Sequence, residues 1–157
     1  MTTLHDAGQA ALTALPPGRR ILGLDLGTKT MGLATADVEG QIATPRETIA
    51  RTKFTLDAKL LLDFAARENI GLIVIGLPLN MDGTEGPRAQ ATRAFVRNLS
   101  KFSDVPVAFW DERLSTVAVN RVMLQADLSR AKRAENVDKL AAGYILQSFL
   151  DACAQAP

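Results

Sequence analysis

The sequence predicts an α/β fold built on a mixed sheet, and three observations carry that prediction. Three short β-type runs, residues 20–25, 31–36 and 42–49, follow one another across tight glycine-containing links, the pattern of an antiparallel meander. After residue 51 the apolar period lengthens from strand spacing to helix spacing. From there helical and strand patterns alternate, as they do where crossovers join parallel strands. At 157 residues, 47% hydrophobic and 22% charged, the chain is long enough for one domain with a two- or three-layer core.

Residues 1–18, "MTTLHDAGQAALTALPPG", are rich in Ala and Thr and end in Pro-Pro-Gly, which halts any helix; they read as a flexible extension. A single domain is expected over 19–152, with 153–157 as a tail. The links "LGTK" and "DVEGQ" separate the three meander strands. In "TKFTLDAKLLLDFAARENIG", Leu56, Leu60, Leu61, Phe64 and Ala65 recur at helical spacing, with Thr52 or Thr55 as N-cap and Gly71 past the end. The run "LIVIG", 72–76, is apolar throughout, as in a strand covered on both faces. A polar loop, "LPLNMDGTEGP", precedes a helix over about 88–102 and a strand over 105–110. Helices are then expected over about 115–125 and 136–152, joined by a basic, mobile link.

The composition removes several classes of function. Cys153 is the single cysteine and His5 the single histidine, so neither a zinc finger nor a Cys-His site can be assembled. No window reaches the roughly 18 apolar residues of a membrane span, and the N-terminus lacks a signal-peptide pattern, which makes the cytoplasm the expected compartment and a membrane partner an unexpected one. The net charge of +1 conceals an asymmetry: residues 1–85 hold eight Lys/Arg against ten Asp/Glu, and residues 86–157 hold ten against seven. Contact with nucleic acid would therefore come from a local basic face.

Chemistry concentrates in the acids. Asp25 stands inside an apolar strand, and burying a carboxylate is costly unless something pairs with it. Asp111 and Glu112 follow the 105–110 strand, and ligands of such sheets gather at the carboxyl ends of parallel strands. If the first strand and the 105–110 strand lie side by side, Asp25 and Glu112 share a cleft, and Asp138, in the first turn of the last helix, can join them. Converging carboxylates raise one another's pKa unless a cation intervenes, and hard oxygen ligands suit Mg²⁺ or Mn²⁺. Two such ions form the clamp used in phosphodiester hydrolysis. Plainer readings stand beside this one: Asp25 as the cap of the "LGTK" turn, Asp111 and Glu112 as solvated or dipole-favoured acids, Asp138 as an ordinary first-turn acid behind an Asn136 cap.

A basic surface accompanies the acids. Arg93, Arg97 and Lys101 recur every four residues on one helical face, with Arg88 earlier and Lys29 in the "LGTK" turn. Arg130, Lys132 and Arg133 crowd the link before Asp138, and Arg113 follows Glu112. Such a stripe can follow a phosphate backbone, and it can equally be a solvated face. In "PLNMDGTEG", Asn80, Gly83 and Gly86 suit a tight turn whose backbone N–H groups either hold a phosphate or serve the turn alone.

The segments "GLDLGTKTMGLATAD", "IVIGLPLNMDGTEGPRA", "DERLST" and "VDKLAAGYILQSFLD" resemble, in order and spacing, the motifs of the YqgF family of RNase H-like nucleases, described both as Holliday junction resolvases and as pre-16S rRNA processing nucleases. The resemblance spans roughly residues 20–151. It implies an RNase H-like, five-stranded mixed sheet flanked by helices, with Asp25, Glu112 and Asp138 as catalytic metal ligands and Asp111 as an auxiliary one. It also implies Mg²⁺ or Mn²⁺ as cofactor, pre-rRNA or branched DNA as substrate, and ribosomal particles as partners. Thr30 departs from the pattern, standing where relatives often carry a basic residue. Two further readings compete. "DLGT" also occurs in sugar kinases and actin-like ATPases, which need a second domain and a second phosphate loop that this length does not accommodate. A non-catalytic RNA-binding assembly factor would keep the acids for metal-dependent stability, and only turnover separates it from a nuclease.

Overall fold

The computed structural model describes residues 3–37, 39–114 and 130–154, with Leu114 and 130–138 by their backbone alone. The chain runs through α1 (Leu4–Thr13), β1 (Arg20–Leu26), β2 (Thr30–Ala36), β3 (Ala43–Ala50), α2 (Phe54–Arg67), β4 (Ile70–Leu77), α3 (Pro87–Leu99), β5 (Val107–Asp111), a 3₁₀ turn (Glu112–Leu114) and α4 (Arg130–Ala154). The helix expected over 115–125 falls outside the described residues.

The five strands form one sheet in the order β3-β2-β1-β4-β5. β1, β2 and β3 pair antiparallel as the expected meander, and β1-β4 and β4-β5 pair parallel. The mixed α/β architecture is the one the sequence predicts; the adjacency assumed for the acids is not. β4 lies between β1 and β5. The reason lies in burial: seven of the eight residues of β4 are buried, so it needs a strand on either side, whereas β5 is buried only in part and takes an edge. β3, with Pro45 and no buried residue, takes the other edge.

Alternation along the strands sorts the core into two layers. Leu22, Leu24, Met31, Leu33, Ile73 and Ile75 pack against Leu61 and Phe64 of α2 and Phe95 and Leu99 of α3. On the opposite face Ile21, Ala34, Leu72, Val74 and Trp110 pack against Ala142, Ile145, Leu146 and Phe149 of α4. Gly23 admits α4 closely: a Cβ there would lie 2.7 Å from Leu146 Cβ and 2.9 Å from the Ala142 carbonyl oxygen. The direction of α4 follows from its neighbours. Gln147 Oε1 accepts from Ala43 N at 2.8 Å, and Gly143 lies against Pro45. In the strand register Ala43 pairs with Ala36 and Pro45 with Ala34, opposite Gly23. Descending one turn of α4 therefore advances two residues along β1, toward Asp25.

Several boundaries differ from expectation for local reasons. Residues 4–13, read as part of a loose extension, form α1, capped by the Thr3 hydroxyl accepting from Asp6 N at 3.0 Å. α1 lies along β5, with His5 against Trp110 and Gly8 buried beneath the Phe149 ring. Its Ala and Gly content, which weakened the sequence signal, is what allows that close approach. α2 begins after Lys53, and neither Thr52 nor Thr55 caps it; buried Asp57 reaches back to accept from Thr52 N at 3.0 Å. It ends before Asn69, whose φ of 57° makes the left-handed bend two residues ahead of Gly71, the residue expected past the helix end. Gly71 instead sits in β4, where a Cβ would meet Arg19 Cβ at 2.7 Å. α3 starts with Pro87 at its first position and stops at Leu99. α4 begins at Arg130, so residues 130–135 of the expected mobile link are helical backbone, and it continues past Cys153 into the expected tail.

Candidate metal centre and nucleic-acid interface

The carboxyl end of β1 is shaped by what its neighbours lack. Ile21, Gly23 and Asp25 alternate onto the α4 face of the sheet, and Asp25 is only 4% exposed. Across the antiparallel pair stands Gly32 of β2. Across the parallel pair, one residue beyond the matched Leu24 and Ile75, comes Gly76 of β4. Flanking a buried carboxylate with two residues that have no side chain leaves room on both sides of it.

Glu112 enters the room above Gly76. A Cβ on Gly76 would lie 2.6 Å from Glu112 Oε1 and 3.1 Å from its Cγ. The 3₁₀ turn that follows β5 lets Glu112 reach inward over β4 instead of continuing outward along its strand. The two strand-end acids thus converge across an intervening strand, by the length of a glutamate and the absence of a β4 side chain. The space that a Cβ would fill is a seat for a carboxylate with hard oxygen donors, and this donor set fits a divalent ion of the Mg²⁺ or Mn²⁺ class. Asp138 belongs to the helical backbone of α4 one turn before Ala142, in the direction that runs toward Asp25; its side chain lies outside the described residues. Among the described residues no three His, Cys, Asp or Glu side chains form a metal-binding group; of the three candidate acids, the side chains of Asp25 and Glu112 are described.

Asp111 does other work. Its Oδ2 takes Arg113 Nη2 at 2.7 Å, and its Oδ1 takes Arg113 Nε at 3.1 Å and the Arg113 backbone N–H at 2.9 Å. This carboxylate, expected as an auxiliary metal ligand, is 5% exposed and is engaged by Arg113 in the structure. Arg113, expected on nucleic acid, is a brace: hydrogen bonding to Asp111 holds its pKa above the ordinary value, and its Nη1 donates to the Met81 carbonyl at 3.1 Å. It ties the end of β5 to the loop after β4.

In that loop the N–H groups of Asn80, Gly83 and Thr84 serve the turn, the plainer of the two readings of its glycines. Asn80 N donates to Thr84 O and Gly83 N to Asn80 O, each at 2.9 Å, and Thr84 N donates to Asp82 Oδ1 at 3.0 Å. These N–H groups close the turn on itself, with Gly83 supplying the φ of 89°. The Thr84 hydroxyl and N–H together hold the Asp82 carboxyl below its ordinary pKa, so the loop carries a negative charge.

The cations divide similarly. Arg88 Nη2 lies 3.5 Å from the Leu26 carbonyl oxygen, at the end of β1, and Lys29 is exposed in the turn that follows. Arg93 is engaged: its Nε donates to Glu85 Oε1 at 2.6 Å, and its guanidinium sits 4.7 Å from the Phe109 ring centroid. The bond holds the Glu85 carboxyl below its usual range. Arg97 and Lys101 are exposed, so the expected stripe keeps its far end and spends its middle on structure. Arg130, Lys132 and Arg133 lie in the first turns of α4, with side chains outside the described residues.

Sequence reasoning missed Arg51. Its Nη1 donates to the Gly27 carbonyl at 2.5 Å, its Nε faces Asp57 Oδ2 at 3.5 Å, and it sits 5.6 Å from the Phe95 ring centroid. Asp57 is 1% exposed. This half-buried strut fixes the turn that directly follows Asp25, and nothing in the local sequence announces it. Gly76 was also missed, although a glycine ending an otherwise apolar run is a signal of close approach.

A family model described as RuvX, Holliday junction resolvase, matches residues 19–152. A protein of Rhizobium etli (strain CIAT 652) named "Putative pre-16S rRNA nuclease" is 58% identical over 151 residues, covering 96% of this chain and 91% of that one. One of the same name from Methylocella silvestris is 60% identical over 135 residues, covering 86% and 84%. Among solved structures, Thermus thermophilus RuvC in complex with a Holliday junction substrate superposes with a TM-score of 0.56 at 14% identity, covering 88% of this chain and 98% of that one. The yeast mitochondrial Holliday junction resolvase gives 0.52 at 14% identity, covering 94% and 84%. At these identities the two structures show a shared fold.

Proposed function

The chain belongs to the RuvX family of Holliday junction resolvases, the family also called YqgF, and on that footing we propose that it is a divalent-metal-dependent nuclease that trims the 5′ end of pre-16S rRNA. The observation that carries the site assignment is the seat of Glu112 over Gly76, next to the strand position of Asp25. Asp25, Glu112 and Asp138 hold the ion. When bound, Mg²⁺ or Mn²⁺ supplies Lewis acidity to the phosphodiester and to the attacking water.

The remaining work belongs to the chain. Asp25 is fixed on a central strand packed on both faces, and the strut of Asp57, Arg51 and the Gly27 carbonyl holds the turn beside it. Arg88 and Lys29 orient the substrate phosphates at the mouth of that turn, with Arg97 on α3 and Lys101 just past its end extending the track. The cytoplasm, where rRNA precursors and ribosomal particles meet, is its place of action; no helix among the described residues is long and apolar enough to cross a membrane. The family's description favours a second reading, cleavage of branched DNA, on the same site.

The test is cleavage of a pre-16S 5′-leader RNA and of a four-way DNA junction with Mg²⁺ or Mn²⁺, by wild type, Asp25→Asn, Glu112→Gln and Asp138→Asn. Each variant is expected to lose on the order of 100-fold or more, since even outer-shell changes at metal sites cost roughly 10–100-fold. Undiminished turnover in Asp25→Asn and Glu112→Gln sinks the assignment, and preference for the junction selects the second reading.

A further inference from the structure

We propose that Met81, at the tip of the loop between β4 and α3, is a stacking wedge that packs its thioether side chain against an exposed nucleobase of the substrate. The proposal rests on the nuclease reading and adds to it how a base is held beside the carboxylates. Met81 is 90% exposed, against 61% for Ile42 and 62% for Phe102, the next most exposed large apolar side chains among the described residues. A lone exposed apolar residue needs no explanation by itself. The way this one is held does.

Around Met81 the loop's polar groups are spent internally. The backbone bonds among Asn80, Gly83 and Thr84 close the turn, Asn80 Nδ2 donates to Thr84 Oγ1 at 2.9 Å, and Thr84 Oγ1 donates to Asp82 Oδ1 at 2.6 Å. Arg113, itself clasped by Asp111, pins the Met81 carbonyl from the strand end where Glu112 turns inward. The tip is thereby preorganised, which lowers the entropy lost when it engages a ligand. What it presents outward is an unbranched, polarisable side chain that makes favourable contacts with aromatic rings and belongs to the set of apolar wedges inserted between base steps.

Charge selects the occupant. Ionised Asp82 beside the tip repels a sugar-phosphate backbone, while Arg88 and Lys29 attract one at the end of β1. A nucleobase, uncharged and flat, is the part of such a strand that suits an apolar side chain beside that carboxylate. Arg113 joins the two places: it follows Glu112 in the chain and bonds the Met81 carbonyl, so the tip stands within one arginine side chain of the metal-ligand strand end.

The experiment uses the full chain without metal, in EDTA, and an RNA stem with a single-stranded 5′ flank carrying 2-aminopurine at successive positions. Wild type is expected to change the emission at one or two adjacent positions. Met81→Ala should abolish that change and weaken binding by about two- to tenfold, and Met81→Phe should restore both. Thermal melts of both variants should match wild type, since the side chain is in solvent. The same labels in a four-way DNA junction tell whether the base belongs to RNA or DNA. Identical emission profiles for wild type and Met81→Ala, or a profile with no positional response, overturn the wedge. Cleavage of unlabelled RNA with Mg²⁺ is measured in parallel: cleavage with a Met81-independent profile removes the wedge alone, whereas a Met81-dependent profile without cleavage removes the nuclease reading and leaves the wedge.

Discussion

Glu112 Oε1 stands 2.6 Å from the point where Gly76 would carry a Cβ, so the carboxylate of one strand end occupies the missing side chain of the neighbouring strand. Gly76→Ala should therefore evict Glu112, lowering turnover at least about tenfold and stability by about 1–3 kcal/mol, the usual range for overpacking. The added methyl also meets Ile145 Cδ1 at 2.7 Å. Adding Ile145→Val removes that atom and should recover stability without recovering turnover, as read by thermal melts and initial rates. Full turnover in Gly76→Ala would contradict the seat.

Asp57 is a buried anion serving Arg51 and the Thr52 N–H, whereas Asp63 pairs with Lys59 in solvent. Asp57→Ala should cost about 2–3 kcal/mol in urea unfolding, because it strands a buried donor and a half-buried guanidinium. Asp63→Ala should cost less than about 0.5 kcal/mol. Arg51→Lys keeps the charge but loses the planar fork that reaches both Asp57 and the Gly27 carbonyl. Its signature is a fall in kcat with KM little changed; equal and opposite behaviour would mark Arg51 as a substrate contact instead.

Removing residues 1–14 deletes α1 and uncovers Trp110 and Phe149. The loss of apolar burial should lower stability by about 2 kcal/mol or more, which for a chain of this size is a Tm drop of about 4–8 °C. An unchanged melting curve would mean that α1 contributes nothing to the folded state.

Acid should weaken the fold through three exposed carboxyls. Asp37 is held below its ordinary 3.8 by the Gln41 and Ile42 N–H groups, Asp82 by Thr84, and Glu85 below its ordinary 4.5 by Arg93. Depressed folded pKa values contribute stability that is present above the unfolded values and lost as pH falls through the folded ones. Tm should accordingly be flat from neutral pH to about 5 and decline below it. Exposure and salt screening keep each contribution small, and the Glu85 share should shrink further in 1 M salt. A Tm that rises between pH 5 and 3 would refute the sign.

The split between what was legible in the sequence and what was not follows the range of the interactions involved. Period and turn chemistry are local, so the meander, the alternation after it and the positions of Asp25 and Glu112 at strand ends could be read from neighbouring residues. α1 escaped because its contribution is made against β5 and Phe149, remote in sequence, by small residues that carry little pattern.

Partnership was likewise invisible. Asp111 and Glu112 are adjacent and chemically alike, yet one is clasped by Arg113 and the other seated over Gly76, because successive residues leave a strand end in different directions. The sequence by itself determined the five strands, the helices between them and the final helix, in that order, and that carboxylates stand at two of the strand ends. Only the tertiary structure decided that β4 stands between those ends and that a glycine there lets Glu112 cross it. Strand order depends on which surfaces are buried together, and no single segment encodes that.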